Sequence, residues 1–587
     1  MKLAPLPTRS ALPIAPLPSI LKIPFLDSVD SVHSVGQSSH RWTQIYRLII
    51  RYWPEGVVFV IAFSLWAPRL SGPIDLRWDA SVYYVLGTSL ATGQGYRILS
   101  EPGSPEMLRY PPLLPAIVAV CQRVLGSTDL TVVGPWLRIL YAVLFLAYAL
   151  VVLALARRYL RPVFVVTAVA FTLLQPNTIW LSDLLYTEIP FALISVLFVL
   201  VAVAGPQGST HERAGCGYRA WRPWLRETAS FLLATAGFLL RTAGIALLAA
   251  WVFEALVRGR WRLALIRGLL AVLLIIAWQT YVVRVTHSYE YSHPAYAYQR
   301  APSHAYNGSY AESVGLSDPS HPGWRHSLSA LTNQLRVNTR PLIESFGEAL
   351  STSGRVPTLV LSAVAFVGLA MLVRRRAWMV ILIVLVSVAI IWPMPWRNQF
   401  YRYMVPLTPF LMIGVMIAFN DITGALSALP VRPVIATFGR IALAVPVVFV
   451  FVLQISSVRK LFYDRAIAWA SYVPDRGAVG PHFFYYSPFS RAWDVEIAWI
   501  QSHSDPNAVV LTHLPHLCYV RTGHRAVLSP VERNQDRVRE VLESVPVSYV
   551  ILDPIDSMPA VEKDSQRWRS VESIEGVRLY ERISAAK

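Results

Sequence analysis

Apolar runs recur from residue 56 to residue 453, and arginine clusters occupy alternate gaps between them. A helix needs about 20 apolar residues to cross a hydrocarbon core. Basic residues at alternate junctions fix which gaps stay in the cytoplasm. The runs are 56–70, 132–156, 163–178, 189–204, 230–240, 243–256, 263–283, 357–373, 380–392, 403–419 and 441–453. Arg41, Arg47 and Arg51 precede the first. Arg157, Arg158 and Arg161, then Arg213, Arg219, Arg222 and Arg226, then Arg258, Arg260 and Arg262, then Arg374, Arg375 and Arg376 mark later returns. One topology places every cluster inside. It is a polytopic α-helical membrane protein of about 11 transmembrane helices, with its C-terminal end outside.

Composition and charge support that class. The chain has 587 residues, 54% hydrophobic and 15% charged, with a mean hydropathy of +0.44. Soluble domains carry about 25% charged residues, so a purely cytosolic enzyme is excluded. From 456 onward, 16 basic and 16 acidic residues cancel, so the net charge of +18 lies wholly in the first 455 residues. Charge confined to the apolar part reads as membrane anchoring, not nucleic-acid binding. Cys121, Cys216 and Cys518 are too few and too scattered for a disulfide framework or a zinc site.

Three regions follow. Residues 1–40, rich in Pro and Ser, read as a disordered cytoplasmic tail. Residues 41–455 form the bundle, with extracytoplasmic loops at 71–131 and 284–355. Residues 456–587 form a soluble extracytoplasmic α/β domain. In it, 494–502 reads as a helix, 508–512, 525–528 and 547–552 as strands, 531–544 as a charged helix and 570–583 as a hairpin. No phosphate-binding glycine loop, nucleophile elbow or internal repeat is present.

Ionisable residues at the ends of membrane helices are functional candidates. In the first outer loop, 79–92 predicts an amphipathic helix stopped by Gly93 and Gly95, and 112–125 a short interface helix. Asp79 and Tyr83 share a helix face. Asp79 is placed to take a proton from a sugar or protein hydroxyl, or to cap the helix. Arg109, before Pro111-Pro112, lies at the level of lipid phosphates, where arginines also snorkel.

The order of features resembles a known family. A first span is followed by Asp79-x-x-x-Tyr83, a Gly93-x-Gly95-Tyr96 turn, Arg109 ahead of Pro-Pro-Leu, and a span with Arg138 near its start. This resembles the GT-C membrane glycosyltransferases, in particular the protein O-mannosyltransferases and lipid A aminoarabinose transferases. The resemblance covers about the first 260 residues well. It implies a catalytic acid in the first outer loop, matching Asp79, although Ala80 stands where the family has Glu, and Asp75 is a weaker rival. It implies a second acid in the next loop, where Asp183 and Glu188 are acceptor or metal candidates alongside Tyr83.

Arg241 separates two short apolar runs, and a donor phosphate or Glu188 would pair with it. Trp396-Arg397-x-x-x-Tyr401-Arg402-Tyr403-x-x-Pro406 resembles the family's Arg-Tyr-x-x-Pro segment, making Arg402 a second phosphate ligand or an interface anchor. In the tyrosine-rich stretch 281–310, His287, His293 and His304 match no metal motif, though His287 and Glu290 would share a helix face.

The resemblance, with these residues, implies an enzyme that uses a polyprenyl-phosphate sugar as donor and a glycan, lipid or protein hydroxyl as acceptor. Asp79 is the expected base. Arg241, Arg402 and Arg109 are the expected phosphate ligands, with or without a divalent cation. The alternatives are a transporter or lipid-linked sugar flippase, and a non-catalytic bundle that displays the C-terminal domain. The excess of Arg over Lys, 48 against 5, points to a bacterial cytoplasmic membrane.

Overall fold

The computed structural model describes residues 38–583 except 71, 204–222, 297–298, 300–306, 308–327, 352–355, 357, 429–432, 471–487, 531–533 and 555. Residues 1–37 of the expected tail 1–40, Arg213, Arg219, Arg222, Cys216 and His304 lie outside the described residues, and 38–40 open the first helix instead.

The chain is mostly helical, with a small sheet near its C-terminal end. The helices of the N-terminal half are α1 (Ser38–Trp66), α2 (Asp79–Ala91), α3 (Leu113–Leu125), α4 (Leu130–Ala156), α5 (Pro162–Leu174), α6 (Pro176–Asp183), α7 (Glu188–Ala202), α8 (Pro223–Leu240), α9 (Ile245–Val257) and α10 (Trp261–Thr286). They are followed by α11 (Leu328–Leu350), α12 (Thr358–Arg374), α13 (Trp378–Ile391), α14 (Thr408–Ala428) and α15 (Pro433–Ala470). The last part holds α16 (Pro488–His503), β1 (Val509–Thr512), α17 (Pro515–Thr522), β2 (Ala526–Leu528), α18 (Gln535–Ser544), β3 (Val547–Leu552), β4 (Trp568–Ile574) and β5 (Val577–Arg582).

Among the described residues, four helices are long and apolar enough to cross a membrane, or five if the bent pair α5–α6 counts as one. Five shorter apolar helices of 10–17 residues accompany them. At 1.5 Å per residue, 15 residues reach about 22 Å, short of a full hydrocarbon core. The measure of length and hydropathy therefore falls below the expected eleven spans. Residues such as Leu265, Leu269 and Ile276 on α10 are more than half exposed. An apolar surface of that kind is what lipid would cover.

Four local expectations are corrected. The run 163–178 is broken, because Gln175 is extended and Pro176 opens a new helix at 56° to α5. The loop 284–355 contains the 23-residue α11. Its buried positions Asn338, Leu342, Phe346 and Ala349 keep a helical period, but polar Asn338 and Ser345 within that stripe hide it from a hydropathy reading. Helix α2 is not amphipathic, since Ala80 to Leu86 are all buried, with α3 and α17 packed against it. Glu290 faces Arg97, at 2.7 Å, and is not matched with His287, which bonds the Val283 carbonyl.

The sheet has the order β2-β1-β3-β5-β4. β1 is parallel to β2 and β3, and β5 is antiparallel to β3 and β4. Val510, Val550, Ile551 and Leu579 pack inside it. Helix α17 sits against α2, and Ala526 N–H donates to the Ser100 carbonyl at 2.8 Å. Ser100 Oγ lies 2.6 Å from His516 Nδ1. The sheet region is thus joined to the segment 71–131.

Candidate active site

Two segments far apart in sequence make the site, and a short backbone pairing explains why they meet. Asp75 and Leu184 form a parallel bridge, with Asp75 N–H on the Asp183 carbonyl at 3.3 Å and Leu185 N–H on the Asp75 carbonyl at 3.0 Å. Four residues beyond Asp75 comes Asp79, and four beyond Leu184 comes Glu188. The pairing therefore brings two acidic helix starts side by side.

Buried charges hold this pairing. Arg77 Nε bonds both Asp75 oxygens, at 3.0 and 2.9 Å, and Arg77 Nη1 donates to Ser490 Oγ at 3.0 Å. Arg138 lies 3.5 Å from Asp183 and donates to the Arg69 carbonyl at 2.7 Å. Arg69 donates to the Ile179 carbonyl and to Ser182 Oγ, at 2.8 and 2.9 Å. Removing one member of such a pair leaves an uncompensated buried charge, which costs about 3–5 kcal/mol. Asp75 and Asp183 belong to this frame and are fully buried. Neither joins the group around Asp79.

That group is compact. Arg402 Nη1 lies 2.7 Å from Asp79 Oδ2, and its Nε bonds Glu188 Oε1. Arg241 Nη1 is 3.0 Å from the same Glu188 oxygen. Tyr110 OH donates to Asp79 Oδ1 at 3.0 Å, and Tyr83 meets the Tyr110 ring edge-on at 5.1 Å. Arg402 stacks over Tyr186 at 4.1 Å, Arg241 over Tyr403 at 5.1 Å, and Arg109 over Trp396 at 4.4 Å. Arg402 is buried, so it is not an interface anchor, and Arg109 lies within the electrostatic field of Asp79. Glu188 is sealed, whereas the Asp79 side chain keeps 25% exposure.

The backbone before Asp79 is unusual. Asp79 is the first residue of α2, so the cap position falls to Trp78, at φ 55°. A bulky residue at positive φ is strained and persists only where the surroundings enforce it. Trp78 meets Trp180 edge-on at 5.6 Å, and Trp180 stacks on Tyr401 at 6.4 Å. These rings form an aromatic shelf that starts next to Asp79.

Burial alone would raise the pKa of Asp79, but Arg402, Arg109 and the Tyr110 hydroxyl together hold it below the usual carboxylate range. The group stays ionised at neutral pH. Arg109, Arg241 and Arg402 against Asp79 and Glu188 leave one net positive charge. Such a site can take an anion beside an ionised carboxylate.

No protein-family model and no curated protein matches this chain. Solved structures do. The chain is similar to ArnT from Cupriavidus metallidurans bound to undecaprenyl phosphate. The identity is 14% and the TM-score 0.47, over 91% of this chain and 98% of that one. It is similar to the Archaeoglobus fulgidus oligosaccharyltransferase in the apo form, at 14% identity and TM-score 0.48, over 86% and 70%. It is also similar to the oligosaccharyltransferase AglB from the same organism in complex with an inhibitory peptide and a dolichol-phosphate, at 12% and 0.49, over the same shares.

Of the residues singled out in the sequence, Asp79, Tyr83, Glu188, Arg241, Arg402 and Arg109 lie together, and Asp183 and Asp75 lie apart in the frame. Tyr110, Tyr186, Trp78 and Trp180 were not singled out, and Trp396 stood out only as the first residue of the late motif. Only positive φ at Trp78 distinguishes any of them, and a sequence does not display it. Among the described residues no group of three His, Cys, Asp or Glu could hold a metal ion. Arg402 occupies the space between the Asp79 and Glu188 carboxylates that a divalent cation would need. The described residues do not fit a metal.

Proposed function

We propose that this chain is a membrane glycosyltransferase that moves a sugar from a polyprenyl-phosphate donor to a hydroxyl of an extracytoplasmic glycan, lipid or protein. The observation that carries the reading is the Asp79–Arg402–Glu188–Arg241 chain, a partly exposed carboxylate beside two guanidiniums. The sequence resemblance to GT-C enzymes supports the same reading.

In this mechanism the donor phosphate approaches Arg402 and Arg241, with Arg109 at its side. The acceptor hydroxyl lies against Asp79. Its oxygen forms a bond to the anomeric carbon as the bond from that carbon to the phosphate oxygen breaks. The hydroxyl proton passes to Asp79, and the electron pair leaves on the phosphate. General-base assistance contributes about 10²–10⁴-fold, and fixed cations facing the leaving phosphate contribute a comparable factor. Arginine suits this role because its planar fork binds phosphate through two donors. The aromatic shelf at Trp78, Trp180 and Tyr401 gives sugar rings a flat apolar face. The setting is a bacterial cytoplasmic membrane, with the site and the C-terminal domain on the outer side.

The test is release of polyprenyl phosphate from a donor labelled in its sugar, in membranes that carry the protein. Asp79→Asn is expected to lower release by about 10²-fold or more. Undiminished release from that variant would sink the mechanism.

A further inference from the structure

A second site lies at the other end of the bundle. Arg402 and Asp421 belong to one helical run, Arg397–Ala428. Nineteen residues at 1.5 Å separate them by about 28 Å, close to the thickness of a hydrocarbon core. Near Asp421 a cavity of about 580 Å³ opens between α5, α12 and α14, lined by Arg161, Arg374, Arg375, Val367, Met371 and Asn420 among others.

Helix geometry explains the cavity. α12 and α14 touch backbone to backbone at Gly368 and Gly414, where a Cβ on Gly414 would come 2.5 Å from the Gly368 carbonyl. Seven residues further along each segment, just past the end of α12, Arg375 is bonded to Asp421 of α14 at 2.5 Å. Longer side chains there hold the helices apart, so the gap widens beyond the glycine crossing. Val367, on one wall, is 53% exposed, which opens the cavity sideways onto apolar surface.

Its chemistry is divided. The walls at Val367, Met371 and Ala418 are apolar. The rim carries three arginines against Asp421, a net charge of +2. Arg375 is held by Asp421, whereas Arg161 and Arg374 are exposed and make no ion pair among the described residues. Asn420 lines the same cavity. Its Nδ2 donates to Asp421, and its buried Oδ1 has no hydrogen-bond partner among the described residues. A buried acceptor left unpaired costs about 1–3 kcal/mol, so it calls for a donor from a ligand.

We propose that this cavity binds an anionic phospholipid with a hydroxyl-bearing headgroup. Its phosphodiester sits between Arg161 and Arg374, its headgroup hydroxyl donates to Asn420 Oδ1, and one acyl chain runs past Met371 and Val367. Basic pockets between membrane helices take anionic headgroups in this way. The hydroxyl requirement favours a glycerol headgroup over the bare phosphate of a polyprenyl lipid. The site is separate from the donor site proposed above, and its test needs no transfer activity.

The experiment is native mass spectrometry of the full chain in neutral detergent, titrated with phosphatidylglycerol, phosphatidylcholine or undecaprenyl phosphate. One phosphatidylglycerol is expected to bind about tenfold or more tightly than phosphatidylcholine. Arg161→Gln with Arg374→Gln should abolish that preference. Asn420→Leu should weaken phosphatidylglycerol severalfold and leave phosphatidylcholine unchanged. Single Arg161→Gln, at an exposed helix start, serves if the double variant does not fold. Equal binding of the two phospholipids, a preference that survives the arginine changes, or displacement of phosphatidylglycerol by equimolar undecaprenyl phosphate would overturn the proposal.

Discussion

Arg402 Nη1 lies 2.7 Å from Asp79 Oδ2, although 323 residues separate the two. Through its Nε the same guanidinium bonds Glu188. One planar side chain thus orders both acids, and a point charge cannot do this. Arg402→Gln is expected to lower sugar release by about 10²-fold or more and to destabilise the fold, because buried Glu188 then loses one of its two guanidinium partners among the described residues. Arg402→Lys should retain the charge yet lose the fork, and so fall between the two. Turnover and thermal unfolding of the three proteins check this. A lysine variant as active as the parent would show that charge alone matters.

Asp79 provides a pH test. Its carboxyl titrates below the ordinary range because Arg402 and Arg109 outweigh the effect of burial. Activity that needs ionised Asp79 is therefore kept as pH falls, and is lost only when pH passes below the usual carboxylate value. Arg109→Gln removes one of the cations that lower the pKa, so the acid limb of kcat should move to higher pH while the plateau stays ionised. A limb that does not move in Arg109→Gln would place the titrating group elsewhere.

Some of this was legible in the sequence, and the reasons are local. The strands at Val509–Thr512, Ala526–Leu528 and Val547–Leu552 follow from short β-branched runs, and they start within one residue of expectation. Helix α2 follows from its stop at Gly93 and Gly95, both at positive φ. Asp79, Glu188, Arg241 and Arg402 stand out because charges near apolar runs are rare. The Asp75–Leu184 bridge that brings Asp79 and Glu188 together spans over a hundred residues and leaves no periodic trace. Asp183 and Glu188 sit five apart across a helix break, so face arithmetic could not assign one to the frame and the other to the site. The polar residues of α11 hid a helix inside an apparent loop.

Glu496 on α16 is fully buried, and neither carboxyl oxygen has a hydrogen-bond partner among the described residues. Burial, reinforced by Glu572, pushes its pKa up to about 8 from an ordinary 4.5. The folded protein keeps this proton up to about pH 8, whereas the unfolded chain releases it near 4.5. Between those values the native state binds more protons, so stability falls as pH rises through the window. Melting of the parent is expected to drop by a few °C from pH 5 to pH 8 on this account. Glu496→Gln, uncharged at every pH, should remove that part of the slope. An identical slope in both proteins would refute the assignment.

Gly414 tests the helix crossing. A Cβ there would lie 2.5, 2.8 and 3.1 Å from the O, C and Cα of Gly368, all backbone atoms that cannot turn aside. Gly414→Ala must therefore push α12 from α14, an overpacking that costs about 1–3 kcal/mol. Gly424, on the same helix, has nothing among the described residues within 4 Å of its added Cβ. Gly424→Ala should be neutral or stabilising, since alanine is favoured over glycine in a helix by about 0.8–1.0 kcal/mol. Thermal unfolding of both variants in detergent separates packing from propensity. Because Gly414 lies twelve residues beyond Arg402 on one helical run, the displaced helix should also lower turnover, whereas Gly424→Ala leaves it unchanged. If Gly414→Ala melts with the parent, the two backbones are not in contact in the membrane, and the widening that forms the second cavity has another origin.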